Sequence, residues 1–224
     1  MQTLRVETAD GPGELVITAA ADATGLLLLG HGAGSDVDGW DLELLADRLP
    51  GLGVSVARYR QPHRVAGRKL PGSTASLDRG WAAALAAVAE SWPSLPLVTG
   101  GHSAGARTAC RGFAPGQAGV IALSFPLHPP GAPAKSRAGE LLGVAGPVLV
   151  VQGELDTFGG AEELRPVIAD AAQIELVAVP GAQHPLRPVR SLASELVAAR
   201  QELIVSAVVD FLSRRGLLEP AGRL

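Results

Sequence analysis

Six short apolar runs, most of them bordered by glycine or proline, recur along the chain at 25–30, 54–57, 95–99, 120–123, 147–151 and 174–179. Each is strand length, and a run that is apolar throughout must be covered on both faces. The segments between them carry helical rhythms. Residues 40–49 place Trp40, Leu44, Leu45 and Leu49 on one side of a helix, 76–90 are rich in alanine, and 104–113, 161–171 and 194–214 continue the pattern. Strands that alternate with helices predict an α/β fold, a mostly parallel central sheet with helices on both faces. Two further strands are expected at Leu4–Glu7 and Glu14–Thr18, turned by Gly11-Pro12-Gly13. Residues 60–75 and 125–140, rich in glycine and proline, read as long loops. Neither is long enough for a second domain or for an inserted helical lid.

Composition agrees with a folded globular chain. At 224 residues, 47% hydrophobic and 18% charged, one domain over 1–224 can bury a core without staples. The net charge of −3 offers nothing that would attract nucleic acid or an anionic membrane. Cys110 is the only cysteine, which excludes an internal disulfide and favours a reducing compartment. The opening residues lack the charged-then-apolar pattern of a signal peptide, and Leu26–Leu29 is far too short to cross a bilayer. A cytoplasmic location is the expectation.

The chemistry centres on Gly101-His102-Ser103-Ala104-Gly105. With 28 glycines in the chain, a Gly-x-Ser-x-Gly match arises by chance about 0.2 times, so the pattern alone says little. Its position says more. It falls between an expected strand and an expected helix, where flanking glycines permit a tight turn that lifts Oγ to the carboxyl edge of the sheet. Two partners follow in order. Asp156 comes just after the run 147–151, and His184 just after 174–179. Both are at carboxyl ends of strands, where open α/β sheets build their sites. Ser103 as nucleophile, His184 as base and Asp156 as the acid that orients it form the expected catalytic set. Glu154 competes with Asp156 for the acid role.

Leu29-Gly30-His31-Gly32-Ala33-Gly34 follows the first central strand. A glycine loop there can aim the Ala33 amide, with that of Ala104, at an oxyanion. Gly32 and His128 are expected at the substrate. His31 is expected to hold the loop, His102 to pack beneath the turn, and His63 to be solvated. Arg58, Arg60, Arg64 and Arg68 are read as a solvated face or as contacts for an anionic substrate. Cys110 is expected to serve packing. No phosphate loop, dinucleotide fingerprint or zinc spacing is present in the sequence, so neither metal nor cofactor is expected. The expected partner is a small acyl compound.

Gly-His-Gly-Ala-Gly near residue 30, Gly-His-Ser-Ala-Gly at 101–105, Phe125-Pro126-Leu127-His128-Pro129-Pro130-Gly131 and Val151-Gln152-Gly153-Glu154-Leu155-Asp156 occur together. In this combination the chain, from about residue 14 to 213, resembles short bacterial α/β-hydrolases related to dienelactone hydrolases and to the KANSL and testis-expressed hydrolase-like proteins. The resemblance implies a lidless α/β-hydrolase fold with Ser103, Asp156 and His184 at the triad positions. Dienelactone hydrolases proper carry a cysteine nucleophile, so their substrate is not implied. The resulting expectation is a serine hydrolase of small esters or thioesters. The alternative is an interaction module that keeps the fold without catalysis.

Overall fold

The computed structural model describes residues 2–218. The chain begins with strands β1 (Gln2–Val6), β2 (Gly13–Thr18) and β3 (Gly25–Gly30), then helix α1 (Trp40–Arg48), strand β4 (Val54–Arg60) and helices α2 (Pro62–Val65) and α3 (Thr74–Ser91). Strand β5 (Leu97–His102), helix α4 (Ala104–Arg111), strand β6 (Gln117–Leu123) and helix α5 (Ala138–Leu142) follow. Strand β7 (Val148–Gly153), helix α6 (Ala161–Val167), strand β8 (Ile174–Val179) and helix α7 (Ser194–Arg214) complete it.

All eight strands join one sheet in the order β1-β2-β4-β3-β5-β6-β7-β8. β2 pairs antiparallel with both β1 and β4, and every other neighbouring pair is parallel. The period-2 alternation of a strand divides each apolar run between two layers. Leu27 and Leu29 join a core with α1 and α7, through Leu42, Leu45, Val208 and Phe211. Leu26 and Leu28 face the opposite core, with Trp81 and Val88 of α3, Ala106 of α4 and Leu164 of α6. Ile121 and Val120, or Leu149 and Val150, divide in the same way. Covering both faces is what lets a strand such as Gly25–Gly30 be buried along its whole length.

Several boundaries differ from those read in the sequence. β5 runs from Leu97 to His102, so both glycines before Ser103 lie inside the strand. α6 ends at Val167 instead of residue 171. Pro166 lies inside its last turn; the Ile168 amide still donates to the Leu164 carbonyl, and the chain then turns with the Ala171 amide donating to the Ile168 carbonyl. β4 extends to Arg60, and the two unassigned segments hold only the short helices α2 and α5. Among the described residues no helix is long and apolar enough to cross a membrane.

Candidate active site

β3 and β5 are neighbours at the middle of the sheet, yet the chain leaves them in opposite directions, towards β4 and β6. Loops that diverge in this way open a crevice at the carboxyl ends of the strands. Ser103 stands in that crevice with φ 53° and ψ −109°, a conformation L residues seldom adopt. Packing enforces it. The Ser103 amide donates to the Leu123 carbonyl at 2.9 Å, and Gly101 takes φ 155°. A Cβ at Gly101 or Gly105 would collide with the Gly30 carbonyl. Three glycines therefore let β5 and α4 press directly against the end of β3, and the turn between them lifts Oγ clear.

His184 Nε2 lies 2.8 Å from Ser103 Oγ, and His184 Nδ1 lies 2.8 Å from Asp156 Oδ2. Asp156 is 3% exposed, and its carboxylate also accepts from Gln152 Nε2 at 3.0 Å and from the Phe158 amide at 2.8 Å. An ionised carboxylate only accepts, so the imidazole Nδ1 carries the proton and the Nε2 lone pair faces the serine hydroxyl. The Phe158 ring stacks on His184 with centroids 4.2 Å apart. That contact and Asp156 hold the imidazole from two sides.

A second histidine–carboxylate couple lies alongside. His102 Nδ1 donates to Asp41 Oδ2 at 2.7 Å, and the His102 and His184 rings are 5.1 Å apart. Burial by itself would lower the basicity of His102, but the adjacent Asp41 carboxylate, with a smaller contribution from Asp156, outweighs it and raises the pKa. His102 thus does more than pack beneath the turn, because it lines the groove over Ser103 as a partnered imidazole.

Gly32, Ala33 and Ala104 also line that groove, Gly32 directly against His102 and Ser103. Neither the Ala33 nor the Ala104 amide finds an acceptor among the described residues. Two such donors beside a serine Oγ are what an oxyanion requires. The loop is held by His31, whose Nε2 accepts from the Gln61 amide at 3.1 Å while Nδ1 donates to the Gly32 carbonyl at 2.7 Å. Burial drives the His31 pKa down to about 4, consistent with a neutral ring that accepts at one nitrogen and donates at the other.

The groove over Ser103 has a volume of about 380 Å³ and is also lined by Arg107, Pro126, Arg137 and Phe158. Through Gly34, Ser35 and His102 it adjoins a larger one of about 760 Å³ bounded by Asp36, Trp40, Arg187 and Arg200.

Other sequence expectations end elsewhere. His128 does not line the Ser103 groove. It is buried, with Nδ1 at 2.9 Å from the Pro129 carbonyl and Nε2 at 3.1 Å from Glu163. The turn after β6 folds its ring back onto α6, which corrects its expected place at the substrate. Glu154 is exposed and accepts from the Gly181 amide at 2.9 Å, so it has no contact with His184. His63 is buried, not solvated, with its ring 5.6 Å from His31. α2 folds it beneath the glycine loop, where Nε2 is 3.4 Å from the Ala33 carbonyl. Cys110 is buried, and burial pushes its thiol up to about 12.

The arginines at 58–68 divide by contact. Arg58 lies on β4 and donates to the Val37 carbonyl at 2.8 Å. Arg60 bridges Asp36 and Glu14 at 2.8 and 2.7 Å. Both brace the segment after Gly34 from behind. Arg64 reaches the larger groove, 3.6 Å from Asp36, and Arg68 is exposed. Sequence reasoning passed over Asp41, Phe158 and Arg137. Asp41 reads there as an ordinary acid in a helix's first turn, and Arg137 falls in a segment with no assigned structure. Among the described residues no group of His, Cys, Asp or Glu could hold a metal ion.

A mostly parallel eight-stranded sheet with a serine turn at its switch point defines the α/β-hydrolase fold. The chain belongs to the alpha/beta hydrolase domain family, whose model matches residues 23–212. No curated protein sequence matches it. Among solved structures it is similar to an alpha-beta serine hydrolase homologue from Coxiella burnetii, with a TM-score of 0.74 and 19% identity over 92% of this chain and 96% of that one. It is likewise similar to a serine hydrolase without lid from Xanthomonas campestris, with a TM-score of 0.68 and 18% identity over 98% and 96% of the two chains. An esterase from Pyrococcus furiosus gives a TM-score of 0.71 and 17% identity over 95% and 92%.

Proposed function

We propose that this protein is a serine hydrolase that cleaves small carboxylic esters or thioesters through an acyl-enzyme. One observation carries the reading: the unbroken chain from Ser103 Oγ through His184 to buried Asp156, each link 2.8 Å. As Ser103 Oγ attacks the substrate carbonyl carbon, His184 Nε2 takes its proton. The charge that develops on the carbonyl oxygen is met by the Ala33 and Ala104 amides, which need no reorganisation at that moment. Asp156 stabilises the imidazolium. The C–O or C–S bond then breaks, His184 gives its proton to the leaving group, and the acyl group remains on Ser103. A water, deprotonated by the same imidazole, attacks the acyl carbon and releases the acid.

The fold of the neighbours and the family membership support this reading. A collapsed site would have favoured the interaction-module alternative, but Ser103 faces an open groove. The lone buried thiol suits a cytoplasmic enzyme.

A fluorophosphonate probe is expected to label Ser103, and p-nitrophenyl acetate to be turned over. Ser103→Ala should abolish labelling and lower kcat by about a thousandfold or more, with residual rate from the oxyanion donors. Folded protein that neither labels nor turns over the ester would overturn the proposal.

A further inference from the structure

The groove over Ser103 carries more positive charge than its surroundings neutralise. Three guanidiniums, of Arg107, Arg111 and Arg137, cluster where α4 meets α5. Glu140 is shared between the first two: it pairs with Arg107 at 2.6 Å and with Arg111 at 2.9 Å. Arg111 also takes Asp78 at 2.6 Å. Among the described residues no carboxylate pairs with Arg137. Its Nη1 donates to the Pro126 carbonyl at 3.2 Å, and partial burial together with the nearby Arg107 disfavours its charge, outweighing a smaller attraction from Glu140. Its backbone is fixed, since the Arg137 amide donates to the Leu127 carbonyl at 2.7 Å. Arg137 and Arg107 both line the groove that holds Ser103, and Arg107 is one helical turn beyond it.

With one side-chain hydrogen bond, to the Pro126 carbonyl, Arg137 keeps most of its donors free for a ligand in the groove. A guanidinium presents five N–H groups in a planar fork suited to a carboxylate or phosphate. Pro126, Phe158 and Ala33 line the groove beside it, and the titratable groups there are the His102 and His184 rings, each already paired with its own carboxylate. An anion there would pair with Arg137 and relieve its repulsion from Arg107.

We infer that the substrate of this site is anionic: an ester or thioester with a carboxylate or phosphate group, held by Arg137 while Ser103 attacks. Arg137 acts here as a specificity residue, and the inference rests on the hydrolase reading above. Arg58, Arg60, Arg64 and Arg68, the residues that the sequence offered for such a role, are not in this groove.

The test uses matched ester pairs of the intact protein. Mono-4-nitrophenyl adipate and 4-nitrophenyl hexanoate place or omit a carboxylate on the acyl part. The pair 4-acetoxybenzoate and 4-acetoxyacetophenone does so on the leaving group. The quantity read is kcat/KM for the charged ester divided by that for its neutral match. Arg137→Ala is expected to lower this ratio about tenfold for one of the pairs, the loss of one charge-assisted contact. Arg137→Lys should restore part of it. Lys69→Ala, an exposed residue whose loss changes the net charge equally, should leave the ratio unchanged. The pair that responds shows which part of the substrate carries the charge. Ratios within about twofold of wild type for both pairs in Arg137→Ala would overturn the inference, as would an equal fall in Lys69→Ala. Neutral esters hydrolysed normally alongside such a result would leave the hydrolase reading standing. Neutral esters untouched, with Ser103 unlabelled, would remove both.

Discussion

His31 shows how a single side chain can couple the site to stability. Its ring is 3% exposed and ties the Gly32 carbonyl to the Gln61 amide. Its neutral form fits those two bonds, and burial lowers its pKa from 6.5 to about 4. In the unfolded chain the same ring protonates near its ordinary value. Between these limits the unfolded state binds more protons, so stability is full above about pH 6.5 and falls as the pH drops towards 4. The loss amounts to about 3 kcal/mol for a shift of this size. His102 has the opposite sign: its raised pKa adds stability below its unfolded value, which is lost as the pH rises through the folded one. Urea midpoints at pH 7.5 and 4.5 for wild type and His31→Gln would separate the two. The advantage of wild type over the variant should shrink by about 2 kcal/mol on acidification. An advantage that does not change with pH would overturn this account.

Among the elements, α4 depends most on close approach. Gly105 lies against the Gly30 carbonyl at the end of β3, and an added Cβ would strike backbone rather than a side chain able to move. Gly105→Ala should therefore destabilise the protein by about 2 kcal/mol or more. It should also displace Ser103 from His184 and cut esterase activity. Gly139 of α5 is the control, since a Cβ there meets no atom within 4 Å. Gly139→Ala should be neutral or stabilising by a few tenths of a kcal/mol up to about 1 kcal/mol. Thermal melts and p-nitrophenyl acetate turnover of both variants read the difference. Equal effects from the two would show that the α4–β3 contact tolerates a methyl group. The strand-to-helix turn at Ser103 was legible in the sequence because a local pattern forces it. The partnership of His102 with Asp41 was not, because 61 residues separate them and only the packing of α1 beside β5 joins them.

At the scale of the whole molecule, the chain after α7 returns to the first parallel strand. Leu217 is fully buried against Gly25, and its carbonyl accepts from Thr24 Oγ1 at 2.7 Å. Leu218 is 8% exposed. Deleting residues 217–224 should cost about 3 kcal/mol or more, from the apolar burial of two leucines. The exposed pairs Arg48–Glu202 and Arg214–Glu175 also bind α7 to the body. Exposed pairs of this kind contribute little, so Arg214→Ala should change the urea midpoint hardly at all. A truncation as stable as wild type would mean that the contacts of Leu217 do not hold α7 in place.

Whatever depends on neighbours along the chain was legible in the amino-acid order. The unbroken apolar runs Leu26–Leu29 and Val148–Val151 dictated strands covered on both faces. The glycines around Ser103 dictated a turn, and the order of Ser103, Asp156 and His184 placed each at a strand's carboxyl end. Which side chains meet was settled by long-range packing. It brought Asp41 to His102 and Phe158 to His184, turned His128 away towards Glu163, and set Arg137 against the Pro126 carbonyl at the groove of Ser103. The reason is physical. A strand or a turn is set by local sterics and hydrophobic period, whereas a loop side chain points wherever the packing of distant segments leaves it room and a hydrogen-bond partner.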